Sequence, residues 1–273
     1  MRLASLLPRS VAFFAAAALA QPMRAAPGVP PLLDAVLRKM AADQQRWACT
    51  WTSVYTFVRG HPEGTTQFLS DPSQPYAEQW KPRLMSGKPP TEKALEDFRK
   101  GGEKHGRDQE AKQERELSDG APYQAHMVLD YSLVNQQAVA YYDEAVLVRD
   151  EGGTAVFDVP LHSDNPVPMD FWSHFHLVLR VNRRLANIEH VSIQPRRPPW
   201  FIKVHDFHID TDFRTVDPAC GGVPAAMDAV IDVSIFLKKY YFRQQCTWTD
   251  YRRVKPYGDR FNVKIGPLRT LGF

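Results

Sequence analysis

Cysteine is scarce in this 273-residue sequence: Cys49, Cys220 and Cys246 are the only three, and no C-x-x-C pair occurs. Three thiols close at most one internal disulfide, so neither a disulfide-stapled scaffold nor a thioredoxin-like redox centre is expected. The usual catalytic signatures are also missing. There is no G-x-S-x-G nucleophile elbow, no H-E-x-x-H zinc motif, no P-loop and no dinucleotide glycine fingerprint. Gly87-Lys88 lacks the preceding glycine of a P-loop, is followed by Pro89, and reads as a turn. Charge of one sign is lacking too: the formal net charge is only +3, which gives no electrostatic case for nucleic acid.

What is present at the N-terminus has the three parts of a secretory leader. Arg2 and Arg9 form a basic region, Val11 to Ala20 a short apolar one, and Ala18-Leu19-Ala20 supplies the small residues of a cleavage site. The apolar stretch is shorter than the roughly 20 residues needed to span a bilayer. An uncleaved anchor is the alternative reading. No cysteine follows the cleavage point and Arg2 and Arg9 are not paired, so neither a lipoprotein nor a twin-arginine signal is supported. Cleavage is expected after Ala20, leaving Gln21 first and lowering the charge to +1 as two arginines leave with the leader. The remainder, 21–273, is expected to be one periplasmic or secreted β-rich domain with no transmembrane segment.

The periodicity starts with one amphipathic helix, on Leu32, Leu33, Val36, Leu37 and Met40. From Trp47 it changes to alternation, with Trp47, Cys49, Trp51 and Tyr55 on one strand face. Further strands are expected near Thr65–Leu69 and Tyr76–Met85. A helical insertion at about 88–120 follows, capped by Thr91, carrying Leu95 and Phe98, and ended or interrupted by Gly101-Gly102. From Glu103 to Asp119 the insertion is charged, so a solvated mobile segment or a lid is expected. Strands then follow in a meander: Met127–Leu133, Ala138–Asp150, Thr154–Val159 after the Gly152-Gly153 turn, Phe175–Val181, Ile188–Gln194, Phe201–Val216, Met227–Leu237 and Tyr240–Val254. Cys49-Thr50-Trp51-Thr52 and Cys246-Thr247-Trp248-Thr249 echo one another as two similar strands. A bridge between these cysteines requires the strands to be adjacent, which leaves the pairing open.

This layout resembles that of the LolA-like periplasmic lipoprotein carriers. The residues that carry the resemblance are the helix at Leu32 to Met40, the strand at Trp47 to Val58, and the strand–turn–strand stretch from Phe171 to Phe213. The closing Cys246-Thr247-Trp248-Thr249-Asp250-Tyr251-Arg252 is similar to a final strand ending in a Tyr-Arg pair, and Lys81 to Thr91 to an insertion in uncharacterised exported members. The resemblance implies a curved antiparallel sheet, an incomplete β-barrel, around an apolar groove that accepts acyl chains. It brings no functional residue with it.

Several clusters carry candidate chemistry. His174 and His176 would share a strand face with His190 on the returning strand, and two imidazoles two residues apart bind a metal if a third ligand converges. The plainer alternative is a polar sheet face. Asp206, His208, Asp210 and Asp212 alternate along one strand, with Asp228 and Asp232 expected beside them. Like charges across strands destabilise, so either Arg or Lys on a neighbouring strand or a hard cation must neutralise them. Arg196-Arg197-Pro198-Pro199-Trp200 reads as a stiff exposed connection or as a contact for an anionic head group. The leading expectation is a non-enzymatic carrier for a hydrophobic small molecule, lipid or acylated protein, with no cofactor. Its groove is placed on Phe175, Leu177, Leu179, Ile231, Val233 and Ile235, with Leu95 and Phe98 as the lid. The alternatives are a metal-dependent envelope enzyme using His174, His176, Asp206, His208 and Asp210, and a protein-interaction module.

Overall fold

The computed structural model describes residues 28–43, 46–57, 61–118, 138–163, 170–198, 200–235, 238–257 and 270–272. The leader and the Met127–Leu133 alternation lie outside the described residues, as does Leu237. The chain folds as helix α1 (Pro31–Asp43), strands β1 (Trp47–Phe57), β2 (His61–Ser70) and β3 (Trp80–Leu84), then helix α2 (Glu92–Ser118). The meander follows: β4 (Ala138–Tyr141), β5 (Val146–Glu151), β6 (Thr154–Ser163), β7 (Phe175–Asn182), β8 (Asn187–Pro195), β9 (Ile202–Arg214), β10 (Val223–Ile235), β11 (Lys238–Arg253) and β12 (Thr270–Gly272).

All strands join one antiparallel sheet in the order β12-β4-β6-β7-β8-β9-β10-β11-β1-β2-β3, with β5 paired to β6 beyond β4. The ends of this row do not meet, so the sheet is open, as the alternation and short turns lead one to expect. Register shifts at Asp232/Val233, Arg180/Val181 and Ala48/Thr50 add local twist, which lets so long a row coil. At the last of these the extra residue is Asp250, held at φ 56°. Pro82 lies on β3, which among the described residues is an edge strand, the place in a sheet where proline is tolerated. The Gly152-Gly153 turn forms as expected, with φ 57° and 95°.

Alternation fixes which face is core. On β6 and β7 every second side chain is buried, and Phe157 and Val159 sit opposite Leu179 and Leu177. The same face continues through Ile193, Ile209, Ala229 and Ile231, and Leu33, Val36 and Leu37 of α1 join this cluster. A second, smaller cluster forms on that face from Trp51, Phe68 and Cys246, with Trp80, Trp248, Met227 and Phe98 of α2 packed against it.

The two helices are held differently. α1 is tied down at its C-terminal turn: Asp43 accepts from Gly221 N at 3.0 Å and pairs with Arg253 at 2.9 Å. Lys39 Nζ donates to the carbonyls of Leu185 and Pro218 at 2.7 and 2.9 Å. α2 starts where Thr91 accepts a hydrogen bond from Ala94 N at 3.2 Å, the expected cap. Contrary to expectation, Gly101-Gly102 does not break it. The helix runs on to Ser118 because the glycines let it lie against the 3-10 turn Tyr76–Glu78, where a strand had been expected to start. A Cβ on Gly102 would sit 2.7 Å from the Tyr76 carbonyl, and one on Gly106 would fall inside the Tyr76 ring. Helix propensity is given up there for close approach.

Candidate functional site

Five of the six side chains expected to line a groove prove to lie at the bottom of the apolar face. Phe175, Leu177, Leu179, Ile231 and Val233 are all buried in the main core, and Ile235 ends β10 with its side chain outside the described part. They are not an open surface. What continues the face outward is a set of half-buried apolar side chains: Ile202 and Val204 on β9, Met227 on β10, Tyr240 and Phe242 on β11. Val204 and Tyr240 flank Val233 from either side, and Phe242 stands opposite Ile231. Met227 touches both clusters.

These residues occupy the sector between the two helices. α1 makes its main sheet contact at β8 and α2 at β3, while β9, β10, β11, β1 and β2 lie between these two in the strand order. Phe98 reaches the sheet through Phe68, ring centroids 5.4 Å apart, and Leu95 is half-buried beside it in sequence. The floor of this sector turns polar towards β1, where Gln244 Nε2 donates to Ser53 Oγ at 2.9 Å. Sequence reasoning missed Tyr240 and Phe242, though their even-numbered alternation was visible among the lysines, arginine and glutamines of β11.

The opposite face carries the polar candidates. His174 is not on a strand: it ends a 3-10 turn at Trp172–His174, and its Nδ1 donates to Arg197 O at 2.6 Å. His176 begins the true alternation and pairs with Asp158, 2.9 Å away. His190 stands opposite Arg180 while His176 stands opposite Gln194, so the three histidines do not converge. The acidic strand behaves as its cross-strand charges demand. Asp210 faces Asp228 and Asp206 faces Asp232, and each pair is met by bases on neighbouring positions. Arg243 reaches Asp228 at 3.0 Å and Lys239 reaches Asp232 at 3.1 Å; His208 lies 3.0 Å from Asp206, and His190 lies 2.8 Å from Asp212 and 3.7 Å from Asp210. Hydrogen bonding and charge from Asp228 hold the Arg243 guanidinium above its usual pKa. Among the described residues no group of three or more His, Cys, Asp or Glu could hold a metal ion.

Cys49 and Cys246 do lie on the adjacent strands β1 and β11, but Ser53 stands opposite Cys246, and all three cysteines are free. No helix among the described residues is long and apolar enough to cross a membrane. Comparison with known proteins finds no matching family model, no matching curated protein and no matching solved structure. The class that the geometry defines is therefore an open antiparallel sheet with an apolar face covered by a fixed helix and a second, charged one.

Proposed function

We propose that the protein is an exported, non-enzymatic carrier that holds a hydrophobic molecule, a lipid or an acylated chain, against the β9–β11 sector of its sheet. The observation that supports this reading is the half-buried apolar set Ile202, Val204, Met227, Tyr240 and Phe242, placed between two helical covers. Burial of acyl surface against it stabilises a complex by about 25 cal/mol per Å². The anchoring of α1 by Asp43 and Lys39 makes it the fixed wall. α2 touches the sheet through Phe98 and is the lid, with Leu95 beside it. Periplasmic or secreted location belongs to the same proposal and rests on the N-terminal leader.

Titration with a fluorescent fatty acid tests it. Phe242→Ser should weaken binding by about ten-fold or more, the equivalent of one lost apolar side chain at roughly 1.5–3 kcal/mol. Leu95→Ser with Phe98→Ser should change uptake and release rates more than thermal stability. A wild-type protein that binds no such probe ends the reading.

One observation favours a second reading, an envelope protein-interaction module. Val146, Leu147 and Val148 are exposed on β5, which among the described residues pairs only with β6. Leu147→Lys would abolish an edge-strand association without touching fatty-acid binding.

A further inference from the structure

We propose that the β8–β9 loop, with the sheet end beside it, is a contact surface for an anionic lipid bilayer. Trp200 carries the argument: it is 91% exposed, the most exposed large apolar side chain among the described residues. An indole has an apolar body and one N–H donor, the combination that sits at the level of lipid head groups. Exposure on this scale has a standing cost in water, and a surface that is half apolar and half wet removes it.

The first residues of the loop are fixed against the start of β7. Arg196 N and Arg197 N both donate to the His174 carbonyl, at 2.8 and 3.2 Å, and His174 Nδ1 returns a hydrogen bond to the Arg197 carbonyl at 2.6 Å. These three bonds use the backbone of the two arginines and leave their side chains exposed. The Trp200 ring meets Phe201 edge-on at 5.7 Å, and Phe201 is half-buried at the start of β9. The aromatic pair thus leads from the residue before β9 out to the exposed indole.

Positive charge gathers at the same end. In the last rungs, Lys203 and Lys239 flank Ser234, and Ile202 and Lys238 flank Ile235. Lys203, Lys238 and Lys239 are exposed, as are Arg196 and Arg197. The acids that the register brings nearest, Asp206 and Asp232, are met by His208 and Lys239. Four bases, Arg196, Arg197, Lys203 and Lys238, have no carboxylate partner among the described residues. Their charge complements a phosphate surface, and the exposed indole beside them favours a bilayer, whose interface takes an apolar ring and basic side chains together, over an acidic protein. The inference stands apart from the carrier reading, because neither Trp200 nor the arginines belong to the β9–β11 apolar set.

The test is co-sedimentation of purified protein with vesicles of phosphatidylcholine mixed with phosphatidylglycerol, and with vesicles of phosphatidylcholine alone. The wild type should bind the mixed vesicles far better, and added salt should weaken that binding. Near an anionic surface each basic side chain is worth about a five-fold factor, so Arg196→Gln with Arg197→Gln should lose about twenty-five-fold. Brominated lipid should quench tryptophan emission in the wild type, and Trp200→Ala should abolish that quenching. All these positions are exposed, so the thermal midpoint and fatty-acid binding should stay at their wild-type values. Failure of the wild type to bind mixed vesicles would overturn the proposal and leave the loop to a protein partner. Variants that bind as well as the wild type would overturn it equally, whatever becomes of the fatty-acid titration.

Discussion

Helix α2 contains three glycines that look alike in sequence and should respond in opposite ways to the same substitution. Gly101 faces open space, with nothing within 4 Å of the point where a Cβ would stand, whereas Gly106 is buried against the Tyr76 ring. Gly101→Ala gains helix propensity and loses no contact, so it should stabilise the protein by about 0.5–1 kcal/mol. Gly106→Ala gains the same propensity but forces its methyl into the ring, and overpacking of that kind costs about 1–3 kcal/mol. The two variants should therefore differ by about 1–3 kcal/mol in urea unfolding, with Gly106→Ala the less stable. A double-mutant cycle locates the cause: in a Tyr76→Ala background the ring is gone, and Gly106→Ala should become harmless. Gly102→Ala should not be rescued in this way, because it meets the Tyr76 carbonyl, which every residue carries. If Gly106→Ala stabilises as much as Gly101→Ala, α2 does not lie on the Tyr76 turn, and the account of its glycines fails.

Asp71 offers a test by pH. Burial pushes its pKa up, but hydrogen bonds from Ser73 and the Arg252 guanidinium outweigh this and hold it below the usual 3.8. Its contribution is then complete above pH 3.8 and lost as pH falls through the lowered value, so Asp71→Asn should cost about 1.5–3 kcal/mol at neutral pH and flatten the acid limb of the stability profile. Burial also pushes the Cys49 and Cys220 thiols up to about 11, so both should alkylate slowly in the native protein at neutral pH. In denaturant without reductant all three cysteines should take label by mass spectrometry; a pair that stays unlabelled would reveal a disulfide. Exported protein should begin at Gln21 by N-terminal sequencing, and soluble exported material that keeps Met1 would contradict the leader.

The amino-acid pattern alone determined most of the sheet. Strict alternation along Phe175–Val181 and Met227–Val233 puts one set of side chains on each face whatever the partner strands are, so fold class and the core face followed directly. The cap at Thr91 and the paired glycines at 152 and 153 were equally local, since each acts within a few residues of itself. The need to neutralise Asp206, Asp210, Asp228 and Asp232 was also legible, though not that Arg243 and Lys239 would do it.

Tertiary structure decided whatever depended on register and on what lies above the sheet. The 3-10 turn before β7 ends on His174, which keeps it off the strand and removes the apparent imidazole pair. The residue opposite Cys246 is set by how β1 and β11 slide past each other, which no count along one strand contains. Gly101 and Gly102 read as helix breakers, and the reason for glycine at 102 and 106 came only from Tyr76, distant in sequence, which packs against both. The apolar face was visible, but the depth of each residue within it was not. Alternation says which way a side chain points, while the cover above it decides whether Leu177 is sealed and Phe242 is half-open.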